Sequence, residues 1–428
     1  MPQPFSDTAP GLAQPVSASR RWLALHRSAS LGLLLLLGLV LSTPTNLLPF
    51  GVVLLFSSLL GADYLCRARA LVRPYLGALA CVALAVIALG LWSAWHFDQV
   101  LDDVDNRSRF LVMPWAMLWV CALRPAQQSL WWGALLGLLA TAVIAVMQVV
   151  GGVERAEGWT NAIVLADTTL VLMVVLVLCR PPQRWGLIML GMVAGGTVIL
   201  LSGSRGVWPA LLMLLLAMAL SVPWRNGRFR LAILASMVTV AGTLVLAVPE
   251  LREMTRLDEL HSDVQRIERG DVNSSAGARL ERLQVAWATV QERPWTGIGI
   301  GHFDNAMERL PVCRPSVQQA PRCDLGHAHN DLAEWAATMG LPGAVLLLIV
   351  YGLPLWLFTR LHRRSGESGF RGPAAAGILV VGTYVLCGLT QSMFAHQITA
   401  SVYTTLVGVL AGLSLLDAAQ RRRPASQD

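Results

Sequence analysis

The sequence predicts an all-α polytopic membrane protein, with about 12 transmembrane helices and a large, mainly helical periplasmic loop between helices 9 and 10. Three observations carry this. The 428 residues are 55% hydrophobic and only 14% charged, where a soluble domain carries roughly a quarter charged residues. Apolar runs close to the ~20 residues needed to cross a bilayer recur along the chain. The arginines cluster in every other connection between those runs, which puts them on one side.

The twelve runs lie near residues 28–42, 47–65, 76–95, 108–122, 129–150, 161–179, 185–202, 206–222, 230–248, 332–358, 373–392 and 397–416. The first ends at Thr43-Pro44-Thr45-Asn46, which predicts a tight hairpin to the second. With this count, one side receives Arg20, Arg21 and Arg27; Arg67, Arg69 and Arg73; Arg124; Arg180 and Arg184; Arg225, Arg228 and Arg230; Arg360, Arg363, Arg364 and Arg371; and Arg421 to Arg423. Short loops on the other side are poor in arginine or acidic, as at Asp98, Asp102, Asp103 and Asp105. The positive-inside rule makes the arginine side cytoplasmic and puts both termini there. Residues 1–27 are polar and rich in Pro and Ser. They read as a cytoplasmic tail before a first anchor, not as a cleaved signal. The expected organisation is therefore a tail (1–27), helices 1–9 (28–248), a periplasmic loop (249–330), helices 10–12 (331–416) and a second tail (417–428).

Within the loop, residues 251–269 alternate charges with Leu, Val and Ile at helical spacing, which predicts an amphipathic helix. Residues 278–293 predict a second helix, ended by Pro294, Gly297, Gly299 and Gly301. Cys313 and Cys323 share the loop, where an oxidising compartment favours a disulfide. Zinc is the weaker reading, since the spacing is not CxxC. Cys66, Cys81, Cys121, Cys179 and Cys387 fall in or at the ends of spans and read as small buried hydrophobes.

All 33 basic residues are arginines, so lysine Schiff-base and lysine-nucleophile chemistry are excluded. The net charge of +7 belongs to residues flanking spans, which argues against nucleic-acid binding. The glycines at 297–301 follow no strand and are not a dinucleotide fingerprint.

Three stretches could carry chemistry. Ser202-Gly203-Ser204-Arg205-Gly206 joins two spans on the less basic side. Its plain reading is a snorkelling arginine on a turn; its functional reading is a fixed guanidinium for an anion, reached past Ser204 and the glycines. Ser274-Ser275-Ala276-Gly277-Ala278-Arg279 opens a helix. There Arg279 either pairs with an acidic neighbour such as Glu281 or joins the free N–H groups in an anion site. Gly326-His327-Ala328-His329-Asn330-Asp331 leads from the loop into the tenth span. It reads as a polar helix cap, as an HxH metal site, or as a general base near neutral pH. In an extended segment His327 and His329 share a face. Asp167 is a carboxylate inside the sixth span, neutral or paired with an arginine such as Arg205. Gln148, Gln391 and His396 are weaker cases of the same kind.

At these stretches the chain resembles the O-antigen ligase and O-antigen polymerase superfamily. The resemblance covers most of the chain. Its motif is an arginine after a Ser/Gly turn, a helix, then P-x-x-G-x-G-x-x-x-F, a His-Asn pair and a glycine pair. Here these are Arg279, Pro294, Gly297, Gly299, Phe303, His329-Asn330, Gly340 and Gly343. Leu283 departs from the tryptophan that many members carry; Trp287 follows a turn later.

The resemblance implies a transferase that takes a glycan from undecaprenyl pyrophosphate on the periplasmic face of a bacterial inner membrane. No metal or other cofactor is implied. The acceptor is lipid A-core in the ligases, the growing lipid-linked glycan in the polymerases, and a protein in the O-linked oligosaccharyltransferases. A single large loop near the C-terminal end is more similar to the ligases. The roles expected are catalysis by His329, Arg279 and Arg205, with His327, Asn330, Asp331, Asp167 and Ser204 at the substrate. His329 is preferred to His327 because the family's His-Asn pair falls there. A twelve-helix transporter is the reading from another class. It is disfavoured because the two halves of the chain are not alike and the long insertion precedes only the tenth span.

Overall fold

The computed structural model describes residues 19–100, 104–181, 184–221, 275–313, 323, 326–365 and 369–421. The expected ninth span (230–248) and the amphipathic helix (251–269) lie outside the described residues. Among the described residues the chain is helical without strands. The first nine helices are α1 (Arg20–Leu39), α2 (Leu48–Leu60), α3 (Ala62–His96), α4 (Asp105–Ser108), α5 (Val112–Leu123), α6 (Gln127–Val150), α7 (Ala162–Leu178), α8 (Trp185–Ser202) and α9 (Trp208–Leu220). After them come α10 (Ser275–Glu292), α11 (Phe303–Met307), α12 (Asp331–Arg364), α13 (Pro373–Cys387) and α14 (Gln397–Gln420). Among the described residues six helices (α1, α3, α6, α8, α12 and α14) are long and apolar enough to cross a membrane; α2, α7, α9 and α13 are shorter apolar helices. The helix expected at 278–293 is α10, and Cys313 and Cys323 are disulfide-bonded with Cα atoms 5.4 Å apart.

Hydrophobic pattern explains the layering. In α7 every residue except Ile163 is buried, and α14 is almost wholly enclosed. Helices apolar all round belong at the centre of an assembly. Small residues then let the centre close. A Cβ at Gly133 or Gly137 would run into the backbone carbonyls of Leu34 and Leu37, so α6 crosses α1 at backbone contact. Gly408 and Gly412 do the same for α14 against Met113 and Met117 of α5. Such small-xxx-small seams drive association where lipid removes the hydrophobic contrast between helices.

Contacts between connections show which helix ends lie together. Asn106 Nδ2 donates to the Ala395 carbonyl, Arg155 Nε to the Ser202 carbonyl and Ser204 Oγ to the Ala162 carbonyl. The Asp331 N–H donates to the Gly388 carbonyl. The connections after α3, α6, α8 and α13, and the start of α12, thus gather at one end of the bundle. Arg21 with Asp63, and Arg180 with Ser221, mark the opposite end.

The tenth expected span is not a continuous helix. Gly340 has φ 69° and ψ −166°, and Pro342 follows it. The break frees carbonyls that α12 would otherwise use, and the turn after α10 satisfies them. Ile298 and Gly299 donate to the carbonyls of Ala337 and Thr338, each at 3.0 Å. In return the Leu341 N–H donates to the Pro294 carbonyl at 2.7 Å. Both glycines of this joint are needed. A Cβ at Gly297 would meet the Thr338 backbone, and one at Gly340 the backbone of Pro294 and Trp295. The φ of 63° at Gly297 adds to this. Gly297→Ala should therefore cost about 1–3 kcal/mol and lower the melting temperature of the detergent-solubilised protein by several degrees. A melting temperature equal to wild type would show that this joint does not bear on stability.

Candidate functional site

The histidine segment is fixed before any ligand arrives. Asn330 caps α12 by accepting from the Ala333 N–H, while its Nδ2 donates to the Leu389 carbonyl at 3.0 Å. Asp331 is buried, accepting from Tyr351 Oη at 2.6 Å and from the Phe394 N–H at 3.3 Å. Glu334, one turn on, accepts from the Ala328 N–H at 2.6 Å, between the two histidines. His329 itself takes a left-handed backbone, φ 53°. This conformation is uncommon for a residue with a Cβ and persists only where the surroundings impose it. Asn330 and Asp331, expected to hold the histidine or the substrate, join α12 to the connection between α13 and α14.

That connection completes the site. Gln391 Oε1 lies 2.6 Å from His329 Nδ1, and Gln391 Nε2 lies 2.8 Å from His396 Nε2. An amide oxygen only accepts and an amide nitrogen only donates. His329 therefore carries its proton on Nδ1, leaving Nε2 with a lone pair; His396 accepts through Nε2. The His327 ring stands edge-on to both, with centroids 4.3 Å from His329 and 5.1 Å from His396. Burial, and then the neighbouring His327, push His329 down to about 3. Arg282 and Arg279 are close enough to add to that lowering. His396 falls to about 4, again through burial first and His327 second. The three rings are neutral at pH 7.

The arginine turn reaches the same connection. Gly206, next to Arg205, packs against Thr390, which precedes Gln391; a Cβ there would strike the Thr390 hydroxyl. Ser204 is buried and held by the Ala162 carbonyl, with Arg155 Nη2 3.4 Å from its Oγ. Ser204 thus shapes this turn. Asp167, expected to be neutral or to pair with an arginine such as Arg205, has the Cys387 thiol against its carboxylate, at the end of α13.

A buried cation supports the site from beneath. Arg107 of α4 is 5% exposed, stacks 4.3 Å over Trp335 and feels the charges of Glu334 and Asp331. Phe394, buried at the centre of an aromatic group with Phe110, Trp335, Tyr351, Tyr384 and Tyr403, anchors the connection that carries Gln391 and His396. Arg107 is hard to find in the sequence because it follows an acidic run that reads as a loop. The signal is there: like Arg205, it is an arginine on the less basic side at a span end.

The O-antigen ligase family matches residues 190–348. Over that segment the chain is similar to the O-antigen ligase family. The O-antigen ligase match spans Arg205, Arg279, His327 and His329, and ends before Gln391 and His396. An uncharacterised protein of Haemophilus influenzae is 23% identical over 200 residues, covering 46% of this chain and 49% of that protein. The chain thus spans about half the length of that curated relative.

Removing Arg107 takes away the guanidinium stacked on Trp335 and the nearby positive charge felt by Glu334 and Asp331, a change worth about 1–3 kcal/mol. Arg107→Ala should accordingly unfold at lower temperature than wild type. Arg107→Lys should recover only part of the loss, because an ammonium lacks the planar face that stacks on Trp335. Full recovery by lysine would show that charge alone matters there.

Proposed function

We propose that the protein is an O-antigen ligase, transferring a glycan from undecaprenyl pyrophosphate to the lipid A-core oligosaccharide on the periplasmic face of a bacterial inner membrane. One observation carries the reading: within the matched segment, a neutral histidine with a free Nε2 lies beside arginines, at one end of an apolar helix bundle. The uneven distribution of arginines makes that end periplasmic, with the catalytic loop at 249–330 and both termini on the other side.

The periplasm supplies no nucleotide energy, so the donor's own pyrophosphate bond must drive transfer. The acceptor hydroxyl attacks the anomeric carbon, the bond from that carbon to the pyrophosphate oxygen breaks, and the hydroxyl proton passes to His329 Nε2. Direct displacement inverts the anomeric configuration. Arg279 and Arg205 hold the pyrophosphate as its leaving oxygen gains charge, each donor being worth about 3–4 kcal/mol in a dry site. Gln391 holds His329 in the tautomer that leaves Nε2 free. No step calls on a metal. Both substrates are lipid-anchored, so holding them together makes the reaction effectively intramolecular.

The charge pattern also regulates the base. In the free protein, Arg279 and Arg282 oppose protonation of His329. A bound pyrophosphate neutralises those arginines and favours the protonated ring, so basicity rises when the donor is in place.

Reconstitution with lipid-linked glycan and bare lipid A-core tests the activity. Glycan-bearing lipopolysaccharide should form with wild type, and fall at least a hundredfold with Arg279→Ala or His329→Ala in protein of unchanged melting temperature. Lengthening of the lipid-linked glycan with bare lipid A-core would make the protein a polymerase. Normal transfer by either variant would remove the residue assignment.

The pH profile is a separate test. A lowered pKa keeps the base neutral until pH falls through it. The acid limb of kcat/KM, which reports the free protein, should therefore lie below about pH 5, and that of kcat higher. A kcat/KM limb near the ordinary histidine value of about 6.5 would contradict a buried base beside arginines.

A further inference from the structure

A second cavity lies beyond the far end of α10. Arg279 is near the start of this helix and Arg293 directly follows it, so the two are separated by roughly 21 Å of helical rise. Around Arg293 the turn after α10 and the end of α3 enclose about 630 Å³, within the usual range for ligand pockets. Phe97, Asp98, Gln99, Arg293, Asn305 and Arg309 are among the residues lining it.

The wall is anchored to the docked turn. The Ile300 N–H donates to Ser93 Oγ of α3 at 3.1 Å, and the Gln99 amide packs on Gly299, whose φ of 105° and missing Cβ leave room for it. Asn305 Nδ2 lies 3.3 Å from His302 Nδ1. Arg309 makes two bonds to Glu292, at 2.5 and 2.7 Å, and this pairing draws the Glu292 carboxyl below its ordinary range.

The chemistry of the wall selects among ligands. Arg309 is compensated by Glu292, and Asp98 lines the cavity along with Arg293, so an anion meets a carboxylate as well as a guanidinium. The carboxylate, carboxamide and guanidinium groups are planar and offer paired acceptors or donors, suited to neighbouring hydroxyls. Phe97, Ile298 and Ala306 add apolar surface for the C–H face of a ring. We propose that this cavity is a saccharide subsite, holding sugars of a substrate glycan remote from the reacting carbon. It rests on the transferase reading above, which requires a long glycan to lie somewhere on this loop while His329 acts on one end.

The test is direct binding to the purified full-length protein, read by saturation-transfer NMR. Two probes separate the sources: oligosaccharide released by mild acid from the O-antigen of the strain that carries this protein, and its core oligosaccharide. Asn305→Trp fills the cavity, and Asn305→Ala removes a polar contact at an exposed position. Binding of either probe, weakened roughly tenfold or more by both variants at unchanged melting temperature, supports the subsite and names the substrate it serves. No binding to wild type, or binding indifferent to both variants, overturns it. The same preparation assayed for transfer keeps the two readings apart. Cavity-dependent binding without transfer would leave the saccharide site and remove the transferase. Transfer with binding indifferent to the cavity would do the reverse.

Discussion

A helix broken in apolar surroundings must have its freed backbone groups satisfied by other protein. The break at Gly340 imposes that demand on α12, and the turn after α10 meets it with three backbone hydrogen bonds. Much of the rest follows. Docking at Ala337 and Thr338 fixes the end of α10, and therefore the direction in which α10 runs back toward His329. It also seats Ile300 on α3 and so shapes the cavity around Arg293. The glycines of the P-x-x-G-x-G turn and the glycine at the break are two halves of one joint.

Above that joint the chemistry is set by an arrangement of buried charge. Asp331 and Glu334 use their oxygens on the backbone and hydroxyl donors that hold the histidine segment and the connection from Gly388 to His396. Arg107 supplies the nearby positive charge, and the aromatic group around Phe394 keeps water from the pair. In surroundings of low dielectric these partners are strong and their loss is costly. His329 can then be kept neutral, with its Nδ1 proton committed to Gln391.

Much of this is legible in the sequence, for definite reasons. Long apolar runs mark helices whatever surrounds them, and every expected span within the described residues overlaps a helix, six of those helices being long and apolar enough to cross a membrane. The periodicity after Arg279 marks α10 because Pro294 ends it cleanly. The break in α12 is hidden, since Gly340-Leu341-Pro342 sits in an apolar run that reads as one continuous span. Gln391 and His396 stand out only weakly: a polar residue between two apolar helices resembles any turn until its partner is known, and His329 is 62 residues away along the chain. In sequence, Asn330 and Asp331 read as groups that hold either the histidine or the substrate. Their hydrogen bonds to Leu389, Tyr351 and Phe394 are long-range and invisible there.

The central claim is direct displacement at the anomeric carbon, with His329 taking the hydroxyl proton. The anomeric configuration of the newly formed linkage tests it most directly, read by NMR on product made with a donor of known configuration. Every new linkage should be inverted relative to the donor. Retention would require a double displacement or attack from the leaving-group face, and would contradict a His329 that acts as base in a single inverting displacement.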